Sequence, residues 1–197
     1  MTQTIEYYNL HAADFTESTL HADMSKLYAA FLKHIKAGAK ILDMGCGSGR
    51  DSKFFIEYGF TVKAIDASAE LCKIATERIG QLVECISFSD MSYENEFDGV
   101  WACASLLHVP FGDLPGIFGR IAKALKENGC AYVSFKYGDF SGYRNGRFFT
   151  DMTEKTLENI LHEAEGLKIA DIFKTRDVRA GRENELWLNA ILLTSAN

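Results

Sequence analysis

A chain of 197 residues that is 47% hydrophobic and 24% charged has the apolar mass for one globular domain, with no need of disulfide or metal staples. Its formal charge of −6 disfavours a nucleic-acid partner, because phosphates select basic faces. No apolar run approaches the roughly 18 residues of a membrane-spanning helix. The start MTQTIEYYNLHAADF lacks the basic head and apolar core of a secretory signal, and the five cysteines show no C-x-x-C spacing, so the expectation is a cytoplasmic protein with free thiols.

Taken in chain order, Met24, Leu27, Tyr28, Phe31, Leu32 and Ile35 mark one face of a helix over 23–36, ended by Gly38. Ile41–Met44 reads as a buried strand running into a glycine-rich turn, with a helix over 50–58. Thr61–Ile65 is a second strand, ending at Asp66, and Ser68–Ile79 is helical. Val83–Phe88 and Val100–Ala104 are strands, the latter nearly all apolar, as a strand covered on both faces should be. Leu114, Ile117, Phe118, Ile121, Ala122 and Leu125 form a further helical stripe, with Gly129 as its stop. Tyr132–Phe135 is a fifth strand, and Gly138–Arg147 reads as a loop. Asp151, with Glu154 three residues on, predicts a capped helix whose buried face is Leu157, Ile160, Leu161 and Ala164. Leu167–Thr175 and Leu186–Leu193 close the chain as strands, with a link short enough for an antiparallel pair.

Strands alternating with helices imply a parallel sheet covered on both faces. Ligands bind such sheets at the carboxyl ends of the strands, where strand order reverses. The first strand–helix junction reads Asp43-Met44-Gly45-Cys46-Gly47-Ser48-Gly49-Arg50. Its glycines permit positive φ and close approach of a ligand, and the following helix offers free N–H groups. Asp66, about 20 residues on, has the place of a carboxylate that accepts from ribose hydroxyls. This much fits a dinucleotide or an adenosyl ligand. A dinucleotide loop wants a small third residue where Arg50 stands, and Asp43 would repel a pyrophosphate but suits a ligand with an amino group and a sulfonium.

The D-x-G-x-G-x-G loop, with Asp66, Phe97-Asp98 and the Leu125–Gly129 turn, resembles class I S-adenosylmethionine-dependent methyltransferases over roughly residues 38–135. GCGSGRDS is similar to the loop of small stand-alone enzymes such as the tellurite-resistance methyltransferases, with ubiquinone-type O-methyltransferases a looser match. The resemblance implies an α/β Rossmann-like fold, a seven-stranded, mostly parallel sheet whose last strand is antiparallel, with helices on both faces. It implies one domain, with an N-terminal lid and helix (1–37), a cofactor-binding core (38–137) and a substrate-side C-terminal part (138–197). The cofactor would be S-adenosyl-L-methionine, leaving as S-adenosyl-L-homocysteine. Asp43 and the loop glycines Gly45, Gly47 and Gly49 would surround its methionine moiety, Asp66 would hold its ribose, Asp90 or Met91 would lie beside its adenine, and the backbone near Ala102–Ser105 would line the methionyl and substrate side, with Cys46, Arg50 and Ala67 also in the cofactor-binding set.

Tyr8 or Phe15, from a lid, would cover the sulfonium by cation–π contact. His108, at the mouth of the site, is the candidate general base. Arg144, Arg147 and Arg179 fall in the late, arginine-bearing third and are expected on the substrate side, where guanidinium forks bind oxyanions. The expected acceptor is a small, anionic molecule. No metal-ligand spacing appears. A non-catalytic S-adenosylmethionine-binding protein, a methyltransferase acting on a macromolecule and an NAD-dependent oxidoreductase are the other readings.

Overall fold

The computed structural model describes residues 2–179 and 181–195. Two short helices, α1 (Thr2–Leu10) and α2 (Ala12–Leu20), precede α3 (Ser25–Leu32). Then follow β1 (Lys40–Met44), α4 (Arg50–Glu57), β2 (Thr61–Asp66), α5 (Ala69–Ile79), β3 (Glu84–Cys85) and β4 (Phe97–Ala102). The second half contains α6 (Leu114–Ala124), β5 (Leu125–Lys136), β6 (Ser141–Arg144), β7 (Arg147–Thr150), α7 (Glu154–Ala164), β8 (Leu167–Arg176) and β9 (Leu186–Thr194).

Seven strands form one sheet in the order β3-β2-β1-β4-β5-β9-β8. β1 to β5 pair in parallel, and β9 enters antiparallel between β5 and β8. The last strand in the chain is therefore the reversed one, as expected. From β1 the chain steps outward through β2 and β3, then returns to the other flank of β1 as β4. The switch point, and with it a cleft at the strand ends, lies between β1 and β4.

Alternation along the strands divides the core. Leu42, Met44, Val100, Ala102, Ala131, Val133 and Leu192 face α6 and α7, whose stripes supply Ile117, Phe118, Ile121, Leu157, Ile160 and Leu161. The opposite face packs Ile41, Trp101, Tyr132 and Ile191 on Tyr28 and Phe31 of α3 and Phe55 of α4. Asp43, Trp101, Tyr132 and Ile191 stand in one cross-strand row, and the Trp101 and Tyr132 rings stack with centroids 4.1 Å apart. A Cβ on Gly99 would meet Ile35 Cδ1 at 2.6 Å and Phe31 Cζ at 2.8 Å, so both side chains would have to shift to admit one. Among the described residues, no helix is long and apolar enough to cross a membrane.

Several elements differ from expectation. The third strand shrinks to two paired residues, and Phe88–Asp90 turns into a 3-10 helix. α3 stops at Leu32, four residues early. Gly129 does not stop α6, which already ends at Ala124, where Leu125 is extended and starts β5. The cap of α7 is Thr153, whose hydroxyl accepts from Thr156 N–H, in place of Asp151. The supposed loop at 138–147 is a hairpin of β6 and β7, turning at Asn145 (φ 49°) and Gly146 (φ 80°), the positive-φ pair that a two-residue turn requires.

Candidate active site

A cleft with two lobes opens at the carboxyl ends of β1, β2 and β4. Both lobes touch Gly45, Gly47, Ala104 and His108, and Tyr8 and Phe15 from α1 and α2 stand between them. The smaller lobe is walled by Asp66, Ala67, Ser68, Leu71, Ser87, Phe88 and Ser105. The larger lobe runs past Cys46, Ser48, Arg50 and Asp51 toward Arg147, Arg179 and Trp187.

The glycine loop is a cradle that side chains would fill. A Cβ on Gly45 (φ 80°) would lie 2.5 Å from Ser105 Cβ, and one on Gly47 (φ 55°) would lie 3.1 Å from the Phe15 ring. The Asp66 carboxylate accepts from Gly47 N–H (2.9 Å) and Ser68 N–H (2.8 Å). A carboxylate has about four acceptor sites, so capacity remains for a hydroxyl of a ligand. Burial pushes the Asp66 carboxyl above its ordinary range, against these backbone donors. Gly49 serves a different need. At φ 78° it caps α4, and its missing side chain lets Ala75 of α5 approach.

Asp43 is buried beneath the loop, where it accepts from Ser52 Oγ at 2.6 Å. Burial and the neighbouring Asp51 push its carboxyl upward. Burial acts the same way on Asp51, but the Arg50 charge and hydrogen bonds from Arg50, Tyr28 and Trp101 outweigh it and hold Asp51 ionised. Arg50 also donates to Thr19 O (3.0 Å), tying α2 to the start of α4. Asp51 was not singled out by sequence reasoning, because its partners come from α3 and β4 and no local pattern announces them.

His108 is enclosed. Its Nδ1 lies 2.7 Å from Phe148 O, which can only accept, so the ring proton sits on Nδ1. Burial lowers its pKa to about 4, leaving Nε2 as an acceptor for the Tyr8 hydroxyl at 2.8 Å. Arg147 in turn donates to the Tyr8 oxygen at 3.3 Å. Helix α1 is anchored elsewhere too, by Phe148 N–H on Thr4 Oγ1 (3.0 Å) and Ser68 Oγ on Asn9 Oδ1 (2.7 Å).

Of the residues expected from sequence, Tyr8, Phe15, Gly45, Cys46, Gly47, Arg50, Asp66, Ala67, Ser105, His108, Arg147 and Arg179 line the cleft. Asp43 and Gly49 lie behind it. Ala102 is buried in the core, and Met91 is buried there as well, with its carbonyl accepting from Arg120. Asp90 is exposed and accepts from Ser87 Oγ; Ser87 and Phe88 hold the cleft position assigned to Asp90 or Met91. Arg144 pairs with Asp151 and stacks on Phe140, away from both lobes.

This sheet order, with its cleft beside β1 and β4, is the class I methyltransferase fold. Residues 41–129, from β1 into β5, match the methyltransferase-domain family. The chain is 33% identical over 132 residues to a ubiquinone biosynthesis O-methyltransferase of Xanthomonas axonopodis pv. citri, covering 62% of this chain and 54% of that protein. It spans about half or less of the length of such curated relatives. A Burkholderia thailandensis 1,6-didemethyltoxoflavin-N1-methyltransferase, solved with its substrate and S-adenosylhomocysteine, superposes with TM-score 0.73 at 24% identity, covering 98% of this chain and 91% of that one. A TehB-like S-adenosylmethionine-dependent methyltransferase of Corynebacterium glutamicum superposes at 0.72 with 20% identity, covering 99% and 100%. These likenesses speak for the fold.

Proposed function

We propose that the chain is an S-adenosylmethionine-dependent methyltransferase acting on a small, anionic molecule. The observation that carries this reading is the joining of the two lobes at Gly45 and Gly47. One lobe has the Asp66 carboxylate with acceptor capacity to spare, and the other is rich in cations. A ligand laid across the glycines would have its ribose at Asp66 and its methionine end near Arg50. The relative's O-methyltransferase activity and the toxoflavin enzyme's bound S-adenosylhomocysteine support the cofactor assignment by analogy.

When bound, the sulfonium supplies an already activated methyl group. The residues of this chain then have to align an acceptor and keep water out. Tyr8 and Phe15 do the second, standing at the junction of the lobes. His108 is not a free base, since Nε2 is engaged by Tyr8 and the ring stays neutral. We assign it to holding Tyr8 in place. Acceptors that reach the transition state with little proton transfer suit such a site. In this reading the N-terminal helices form the lid, residues 38–137 hold the cofactor and the C-terminal part faces the acceptor, and the five free thiols support a cytoplasmic setting.

Calorimetric titration tests the assignment. S-adenosylhomocysteine should bind one to one, and Asp66→Ala should weaken it at least tenfold. Binding of NADH with no binding of S-adenosylhomocysteine would overturn it.

A further inference from the structure

The larger lobe is lined by six cationic side chains, Arg50, Lys136, Arg147, Arg176, Arg179 and Arg182, against the carboxylates Asp51 and Asp177. That is a strong local excess in a chain of net charge −6. Part of it is already answered by carboxylates of the protein, and one further guanidinium is tied to a carbonyl. Arg50 holds Asp51, Arg179 forks onto Asp177, Lys136 and Arg182 share Glu185, and Arg176 donates to Glu183 O. Asp177 is held at about 2 by this pairing, so the Arg179 charge stays compensated across the working pH range.

Arg147 differs. Among the described residues it has no carboxylate or carbonyl partner. Its one hydrogen bond is to the Tyr8 oxygen, and its buried Nε has no acceptor. The guanidinium lies 4.7, 5.7 and 5.2 Å from the ring centroids of Tyr7, Tyr8 and Phe149. Aromatic faces steady a planar cation without neutralising it. A half-buried guanidinium with an unused N–H is the arrangement that a bidentate carboxylate completes.

We infer that the acceptor carries a carboxylate, seated on Arg147. The inference rests on the methyltransferase reading and narrows its acceptor class. Arg147 is the cation of this set that faces aromatic rings with an N–H unused, and one carboxylate matches one guanidinium fork. Because Tyr7 and Tyr8 belong to α1 and Arg147 to β7, a bound carboxylate also joins the lid to the acceptor side.

The test is fluorescence or calorimetric titration of the whole chain with benzoate, phenylacetate and butyrate, each against its amide, with and without S-adenosylhomocysteine. At least one acid should bind tenfold or more tightly than its amide. Arg147→Gln should erase that preference, Arg147→Lys should restore part of it, and both should keep S-adenosylhomocysteine affinity within about twofold. If no acid outbinds its amide, or the preference survives in Arg147→Gln, the inference falls. If Arg147→Gln loses S-adenosylhomocysteine instead, the guanidinium belongs to the cofactor's own carboxylate and the inference also falls. Failure of the unsubstituted chain to bind S-adenosylhomocysteine would strike the methyltransferase reading alone, because the acid–amide comparison is read without it.

Discussion

Two glycine-to-alanine substitutions separate backbone strain from loss of the cradle. Gly45 (φ 80°) and Gly59 (φ 90°) both occupy conformations that an L-residue adopts at a cost. That cost is about 1–2 kcal/mol and is common to both. A methyl at Gly59 would meet nothing within 4 Å, whereas at Gly45 it would lie 2.5 Å from Ser105 Cβ and 3.1 Å from the Phe88 ring. Ser105 cannot swing aside freely, since its hydroxyl donates to Met44 O at 2.7 Å and its side chain is buried. Overpacking of this kind adds about 1–3 kcal/mol. Gly59→Ala should therefore lose about 1–2 kcal/mol and Gly45→Ala about 2–5 kcal/mol. At roughly 2–4 °C per kcal/mol for a chain of this size, the midpoints fall by about 2–8 °C and about 4–20 °C. Thermal melts read the stability, and calorimetry with S-adenosylhomocysteine reads the cradle. Gly45→Ala should weaken binding more than tenfold, while Gly59→Ala leaves it unchanged. Equal melting points and equal affinities for the two variants would refute both the close approach of Ser105 and the role of the loop.

The remaining predictions concern buried charge and the contact between α1 and His108. Asp51→Asn leaves Arg50 without its counter-charge and should cost about 3–5 kcal/mol by urea denaturation. Asp43→Asn should cost no more than about 1 kcal/mol, because the raised carboxyl already favours its neutral form and an amide oxygen can still accept from Ser52. His108 has a folded pKa of about 4 against an ordinary 6.5, so its contribution is complete above pH 6.5 and is lost as pH falls toward 4, in all about 3 kcal/mol. His108→Gln should flatten the acid limb of the stability–pH curve over that window; an unchanged limb would show that the ring is not buried neutral. Tyr8→Phe removes the donor to His108 and the acceptor for Arg147, and should lower stability by about 1–3 kcal/mol in urea titrations.

What could be read from sequence was what is local. The stripes of α6 and α7 and the apolar strands β1, β4 and β9 follow from spacing alone, because burial on one face or two imposes a period. The two N-terminal helices are less legible as helices. α1 meets the fold through Thr4, Tyr7, Tyr8 and Asn9, a polar and aromatic face that no hydrophobic stripe reveals. β3 shrank because Cys85 is the last residue to pair with β2. The β6–β7 hairpin was written in its Asn-Gly turn, a signal as strong as any in the chain, yet the arginines on either side drew the reading toward a ligand loop.

The same distinction governs the site. Asp66 and the loop glycines carry their geometry in a few neighbouring residues, so their place beside the cleft followed from the strand–turn–helix pattern. The state of each arginine did not, because a guanidinium is a ligand site or a structural tie according to what lies near it in space. Lys136 finds Glu185 across 49 positions, and Arg147 finds Tyr8 across 139. Counting arginines after residue 143 marks the region as cationic and ranks Arg144, Arg147 and Arg179 alike. Pairing separates them: Asp151 takes Arg144, Asp177 takes Arg179, and the one guanidinium left facing aromatic rings is the one with binding capacity to offer.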